Sequence, residues 1–349
     1  AHLAQDNMAR SQKAFEGFVW LYKMADRYRA DAFNRLGDTQ YSQRKYNEAV
    51  KSYEGAIALG TSEQDYAKYQ RAMSLGLAGN ATAKIGALRQ MQGENCGDYN
   101  DDAAYELGRT FVSLGHYADG ATVLENFVAS YLQSPYYTPA LLDLGLVHFN
   151  LGNIDKSLHY YDKVISAAPQ SAVAKDAIQS VREIYVAKGD INEYFAYTQR
   201  TGVECDLSSM TRDSLSFRAA QSLYMANRTL EAIANLRNYL KDYPKGYYTN
   251  DALFCLSDCY LKCDSLDRAV ESLQLLAEQP QNQYTLPVVD KLARVTFENK
   301  MYEISSGAYR RLYDIADSAA LRVDAANGYA ESVLSRNNSD ALLAMANDL

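Results

Sequence analysis

The sequence predicts an all-α fold, a solenoid of antiparallel helix pairs. Three observations support this prediction: apolar residues recur with the 3,4 spacing of an amphipathic helix, turn signals interrupt that spacing, and the whole pattern repeats along the chain. The length of 349 residues exceeds one ordinary globular core, which favours several domains or a repeat array. Hydrophobic residues make up 48% and charged residues 22%, as is typical of a folded soluble chain.

One repeat unit can be seen in the segment "ALLDLGLVHFNLGNIDKSLHYYDKVISAAP", residues 140–169. Apolar side chains follow a helical spacing from Leu141 until Gly152 interrupts it, and the spacing resumes at Ile154 and continues to Pro169. This pattern predicts two amphipathic helices joined by a tight turn. All six prolines of the chain are predicted to fall between such units, where a missing backbone N–H is tolerated.

The unit recurs at intervals of 35 to 38 residues. The intervals are measured between the residues that open each second helix, which are Ala14, Ala49, Lys84, Gly120, Ser157, Tyr194, Ala232, Ala269, Ser305 and Ala341. We therefore predict a single continuous solenoid over residues 1–349, with about nine to ten helix pairs. The pattern begins and stops inside a unit, so we expect a solenoid truncated at both ends and belonging to a longer array.

These units resemble the tetratricopeptide repeat. The resemblance rests on Leu36-Gly37, Leu107-Gly108 and Leu144-Gly145 in the first helices, on Gly79, Gly115, Gly152 and Gly189 in the turns, and on Pro169 and Pro244 at the closes. It implies a right-handed superhelix whose first helices line an inner, partner-binding face. Small residues in the first helix also let the second helix approach closely, so Gly145→Leu should force its pair apart.

The connecting segments are similar to those of bacterial cell-envelope members of this family. They carry joins such as "YP" and "SPYY", and the units are slightly longer than the usual repeat. This similarity implies a periplasmic or cell-envelope location, although the first residues contain no signal peptide pattern.

Tyrosine is unusually frequent, with 29 residues against 10 phenylalanines. In the repeat units, large rings are expected to pack between helices with their hydroxyls at the edge. The tyrosines predicted to do so are Tyr46, Tyr53, Tyr117, Tyr161, Tyr260, Tyr302 and Tyr309.

Three of the five cysteines fall four residues apart in "CLSDCYLKC". Cys255, Cys259 and Cys263 would share one side of a helix, but the outer two lie about 12 Å apart along its axis and cannot bind one zinc ion together. Within the repeat they occupy positions beside the contact between units, where cysteine acts as a small apolar residue. We predict a packing role and keep a metal or redox role as a remote alternative.

Catalytic and nucleotide-binding motifs are not found. His148 takes an aromatic position of a first helix and is predicted to lie in the core. A net charge of −8 without a basic block argues against binding to nucleic acid. The sequence contains no run of about 18 apolar residues that could insert in a membrane. We therefore predict a non-enzymatic protein without cofactor or metal, whose oligomeric state the sequence leaves open.

The family resemblance also implies which residues would line the groove. They are Asn34, Asp38, Tyr41, Tyr69, Tyr105, Arg109, Leu142, Phe149, Phe217, Tyr224, Phe254, Asp258, Arg294 and Phe297. Rings with scattered charges suit an extended peptide or a partner's helix. The alternative for several of these rings is packing between units. The alternative function is a structural array that bridges or polymerises cell-envelope components through its ends and convex face.

Overall fold

A computed structural model describes residues 2–94, 96–202 and 208–336. In these ranges the protein forms eighteen α-helices and one short 3-10 helix, Gly97–Tyr99, and no β-strand. The prediction of an all-α fold is confirmed. The chain divides into two compact units, Ala1–Ser180 (unit 1) and Val181–Leu349 (unit 2). The single continuous solenoid with truncated ends stays a prediction.

The helix boundaries follow the repeat. Unit 1 contains α1 (His2–Leu21), α2 (Arg27–Ser42), α3 (Tyr46–Ile57), α4 (Gln64–Leu77), α5 (Ala81–Glu94), α6 (Asn100–Ser113), α7 (Tyr117–Ser130), α8 (Tyr137–Asn150) and α9 (Ile154–Ala167). The boundary between the units falls within α10 (Ala172–Lys188). Unit 2 contains α11 (Ile191–Thr201), α12 (Ser209–Met225), α13 (Thr229–Asp242), α14 (Thr249–Lys262), α15 (Leu266–Ala277), α16 (Thr285–Glu298), α17 (Tyr302–Ile315) and α18 (Ala319–Ser335).

Each unit is a stack of helix pairs. In unit 1 the first helices α2, α4, α6 and α8 each pack against the helix that follows, and in unit 2 so do α12, α14 and α16. First helices of consecutive pairs also contact each other: α2 contacts α4, α6 contacts α8, and α12 contacts α14. These contacts between neighbours in the chain define an α-solenoid.

A close approach inside several pairs depends on a residue without a side chain. A Cβ atom added to Gly145 would lie 2.4 Å from the ring of Tyr161, and one added to Gly37 would lie 2.6 Å from the ring of Tyr53. Both tyrosines are fully buried, so their rings fill the space that the glycines leave. The predicted close contact of the two helices is therefore present.

The residues that open the second helices are mostly buried, as the alignment of the units requires. Ala49, Gly120, Ser157, Tyr194, Ala232, Ala269 and Ser305 all lie in the interior. Lys84 is half-buried, and its ammonium group lies 2.5 Å from a carboxylate oxygen of Glu106. Ala341 lies outside the described residues.

The first helix differs from the alignment. Ala14 was expected to open a second helix, but α1 runs unbroken from His2 to Leu21 and leaves Ala14 exposed. No glycine or proline stands between residues 2 and 13, so no turn signal interrupts the helix there.

The turns inside the pairs share one left-handed residue. Gly79, Gly115, Gly152 and Gly189 have positive φ angles of 75° to 86°, as expected for the turn. In four other pairs the same conformation is adopted by Arg44, Asn227, Asp264 and Lys300, with φ angles of 53° to 63°. The following N–H then bonds to the carbonyl five residues earlier, as from Asn153 to His148 at 2.8 Å.

Candidate functional site

Every residue predicted to line the groove lies on a first helix, but the degree of exposure varies. The exposed residues are Arg109, Phe149 and Arg294. The half-buried residues are Asp38, Tyr41, Tyr69, Leu142, Tyr224, Phe254, Asp258 and Phe297. The buried residues are Asn34, Tyr105 and Phe217.

Two of the predicted groove rings pack against the next helix pair. The ring of Tyr105 stacks on that of Tyr136 with centroids 4.8 Å apart. The ring of Phe217 stacks on that of Tyr248 with centroids 4.7 Å apart and an interplanar angle of 4°. These two rings match the packing alternative, so the accessible part of any groove is formed by other residues.

Hydrogen bonds from tyrosine to aspartate join consecutive helix pairs. In each, a phenol hydroxyl of one pair donates to an aspartate of a neighbouring pair, with oxygen atoms 2.5 to 3.1 Å apart. The bonds run from Tyr66 to Asp38, Tyr105 to Asp143, Tyr136 to Asp102, Tyr224 to Asp258 and Tyr284 to Asp251. These bonds explain part of the tyrosine content, and sequence reasoning had not found them.

The titration of these pairs reflects their partial burial. Burial raises the pKa of Asp143 above its ordinary value, although the hydroxyl of Tyr105 and the charge of Arg109 act in the opposite direction. Burial and the neighbouring carboxylate together raise the pKa of Tyr105. The phenol therefore keeps its proton and donates a hydrogen bond to the aspartate.

An accessible surface in unit 1 spans α6 and α8. Leu146 and Phe149 on α8 are 44% and 40% exposed. The side chain of Arg109 on α6 is 56% exposed, and its guanidinium lies 5.8 Å from the centroid of the Tyr105 ring. We call the face formed by Arg109, Leu142, Leu146 and Phe149 the α6–α8 face.

The corresponding charged residues of unit 2 are paired. Asp258 accepts hydrogen bonds from the hydroxyl of Tyr224, at 2.9 Å, and from the ammonium group of Lys291. Arg294 donates to Asp290 at 2.7 Å. Asp258 therefore joins α14 to α12 and α16, whereas the pair of Arg294 and Asp290 lies within α16 and leaves the Arg294 side chain 50% exposed.

The cysteine cluster lies in the core of unit 2. Cys255 and Cys259 are buried, and Cys263 is half-buried at the end of α14. Burial raises the pKa of Cys255 to about 12 and that of Cys259 to about 11. Thiols rather than thiolates therefore occupy this site, which favours the packing role, because the thiolate is the metal ligand and the nucleophile.

Two further sequence predictions concern histidine and metal sites. His148 is 3% exposed, which confirms its place in the core, and its Nε2 lies 3.1 Å from Glu125. Across the described ranges, no three or more His, Cys, Asp or Glu side chains are grouped to hold a metal ion. Cys205 lies outside the described residues. No described helix is long and apolar enough to cross a membrane.

Helix pairs stacked at a regular interval define the class of α-solenoid repeat proteins. Within that class, three segments match tetratricopeptide repeat models: residues 30–59, 105–172 and 213–246. The chain therefore contains tetratricopeptide repeats. No curated protein matches the sequence.

Several solved structures are similar to the chain. A structure of MamA protein is 22% identical, with 48% of this chain and 90% of that chain covered and a TM-score of 0.38. A tetratricopeptide repeat protein from Parabacteroides merdae is 11% identical, with 76% and 98% covered and a TM-score of 0.38. YrrB, described as having an unusual peptide-binding site, is 19% identical, with 49% and 84% covered and a TM-score of 0.39.

Proposed function

We propose that this chain is a non-enzymatic scaffold that holds an extended peptide or a partner's helix against its first helices. The tetratricopeptide repeat is generally a non-enzymatic fold, and its members typically bind other proteins or peptides. The observation that carries the proposal is the α6–α8 face, where Leu146 and Phe149 are exposed on α8 and Arg109 is exposed on the neighbouring helix α6. Exposed rings flanked by charges supply anchors and orientation for a bound segment.

Within unit 1, the proposal extends this groove to the other predicted residues that remain accessible, Asp38, Tyr41 and Tyr69. Unit 2 would offer a first-helix surface of its own, formed by Tyr224, Phe254, Asp258, Arg294 and Phe297. Buried Tyr105 and Phe217 would support these surfaces from beneath.

A peptide selection would test this function. A random peptide display library is selected against the full chain, and the affinities of the selected peptides are measured by calorimetry. Replacing both Leu146 and Phe149 by serine should weaken binding about tenfold or more, because removing an apolar anchor costs more than about 1 kcal/mol.

The matched control is Leu230→Ser on second helix α13, since Leu230 is 75% exposed. This variant should bind the selected peptides as the parent chain does. A selection that yields no binding peptide, or equal losses for the control and the double variant, would contradict the proposed groove.

A second candidate function is an array that bridges or polymerises cell-envelope components through its ends and convex face. It is favoured by large apolar side chains at the end of α1, where Trp20, Leu21 and Met24 are 71%, 72% and 65% exposed. The proposed location in the cell envelope is based on the similarity of the connecting segments to those of cell-envelope proteins.

Sedimentation velocity over a range of protein concentrations would test the second candidate. We expect self-association that the combined Trp20→Gln and Leu21→Gln variant abolishes. A parent chain that stays monomeric at every concentration would argue against polymerisation.

A further inference from the structure

A cavity of about 540 Å³ opens in unit 1 between α2, the start of α4 and the 3-10 helix. Its lining includes four carboxylates, those of Asp31, Glu63, Asp65 and Asp98, and a single cation, Arg35. The cavity is separate from the α6–α8 face, because none of its lining residues belongs to α6 or α8.

The charges of the cavity are only partly compensated. Arg35 lies 3.3 Å from Asp31, and Asp65 lies 3.3 Å from Lys68, so each of these two carboxylates has a cation beside it. Glu63 and Asp98 form no ion pair with any residue in the described part of the chain. A concave site lined by one sign of charge raises the local concentration of counter-ions. The cavity therefore attracts a cation.

A buried acceptor without a partner stands in the same cavity. Asn34 lines it and is 3% exposed, and its Oδ1 atom has no hydrogen-bond partner among the described residues. An unsatisfied buried acceptor is destabilising, and a ligand that carries N–H or O–H donors can satisfy it. This observation is independent of the carboxylates and indicates the same chemistry, a ligand that is both cationic and a hydrogen-bond donor.

Aromatic rings complete the lining. Tyr66 and Tyr99 both border the cavity, with ring centroids 6.1 Å apart. Their faces offer an apolar surface for the methylene stem of a long basic side chain, and a cation–π contact for its head. The carboxylates at the mouth can then pair with the charged group.

We propose that this cavity binds a basic side chain of the captured peptide, with arginine preferred over lysine. The inference rests on the proposed peptide-binding function and adds the chemistry of one residue of the ligand. Arginine is preferred because its planar guanidinium presents five donors in a fixed arrangement, which suits two carboxylates and an amide oxygen together.

The test uses a single amino-acid derivative as the probe, so that binding in the cavity is measured independently of peptide binding in the groove. The isotope-labelled full chain is titrated with Nα-acetyl-arginine amide and followed by NMR. The neutral citrulline derivative, which has nearly the same shape, is titrated in parallel. We expect shifts at the cavity residues, with Gly97 as the backbone reporter, for arginine and not for citrulline, and we expect added salt to weaken the binding.

Two substitutions at exposed positions should weaken the response without unfolding the protein. Combining Glu63→Gln with Asp98→Asn removes the unpaired charges, and we expect it to weaken arginine binding about tenfold or more, as loss of charge-assisted hydrogen bonds does. Glu54→Gln on α3 is the control, because Glu54 is exposed and does not line the cavity. Equal responses to arginine and citrulline, or a response to calcium ions alone, would overturn the inference.

The result can be separated from that of the peptide selection. Selected peptides that depend on Leu146 and Phe149 but not on Glu63 and Asp98, with no arginine response, would refute the basic side-chain site and leave the scaffold function in place. An arginine response without any selected peptide would refute the scaffold proposal and retain the cavity as a cation site.

Discussion

At the scale of single residues, the spacing of a helix pair depends on Gly145. Its missing side chain leaves room for the buried ring of Tyr161, which a Cβ atom would meet at 2.4 Å. We expect Gly145→Ala to lower the free energy of unfolding by about 1 to 3 kcal/mol, and Gly145→Leu to lower it further, because overpacking displaces a buried ring. Thermal denaturation of purified variants would measure this loss.

The matched control is Gly86→Ala on α5, where no atom lies within 4 Å of an added Cβ. We expect this substitution to raise the stability by up to about 1 kcal/mol, as alanine does in a helix. A loss of stability equal to that of Gly145→Ala would contradict the close packing inferred between α8 and α9.

Asp143 makes stability depend on pH. Its folded-state pKa is raised above 3.8, mainly by burial, so the folded protein keeps this proton to a higher pH than the unfolded chain does. The stabilisation is present below the ordinary pKa and is lost as the pH rises through the raised value. An asparagine accepts the same hydrogen bond from Tyr105 without titrating.

We therefore expect Asp143→Asn to become more stable relative to the parent chain as the pH rises from about 4 to about 7. Melting temperatures of both proteins across this interval would show it. The non-titrating substitution Gly86→Ala supplies the baseline, and a difference that stays constant or changes in the opposite direction would refute the assignment.

At the scale of elements, the turn inside a pair requires a left-handed residue, and some turns adopt it without glycine. Lys300 has a φ angle of 63°, and the N–H after it bonds to the carbonyl of Thr296. This conformation costs a residue with a side chain roughly 1 kcal/mol or more. Lys300→Gly should therefore raise the melting temperature.

The reciprocal substitution Gly152→Ala occupies the same turn position in another pair, with a φ angle of 76° and no atom within 4 Å of an added Cβ. It should lower the melting temperature through backbone strain alone. Changes of the same sign in both variants would show that this conformation does not control the stability of the turn.

The elements could be predicted from the sequence because the repeat encodes them locally. The spacing of apolar residues, the turn glycines and the small residues such as Ala49 and Ala232 determine where helices begin and meet. The exposure of groove residues could not be predicted in the same way. Tyr105 and Phe217 are buried by rings of the connecting segments, Tyr136 and Tyr248, whose positions depend on how consecutive pairs stack.

Two further features were not predicted from the sequence, namely the hydrogen bonds from tyrosine to aspartate and the acidic cavity. The hydrogen bonds join residues that lie 28 to 38 positions apart, such as Tyr105 and Asp143, so no local pattern predicts them. A search for Tyr and Asp separated by one repeat length could have found the bonds. The cavity has no equivalent in the repeat pattern, because it is lined by the irregular segment around Cys96.

At the scale of the whole molecule, stability should be distributed locally. Within each unit, helices contact mainly their neighbours in the chain, and repeat arrays of this kind behave as sums of local stabilities and interfaces. We expect Gly145→Ala in unit 1 to accelerate hydrogen exchange in α8 and α9, and Gly328→Ala, whose Cβ would lie 2.5 Å from the ring of Tyr309, to accelerate it in α17 and α18.

Hydrogen exchange measured by mass spectrometry would test this expectation, because each variant serves as the control for the other. In the Gly145→Ala protein, exchange in α14 should match that of the parent chain, and in the Gly328→Ala protein, exchange in α3 should do so. Local opening of this kind has a free energy below that of global unfolding and leaves distant helices protected. If both substitutions accelerated exchange throughout the chain, the units would unfold together, and the local account of stability would be wrong.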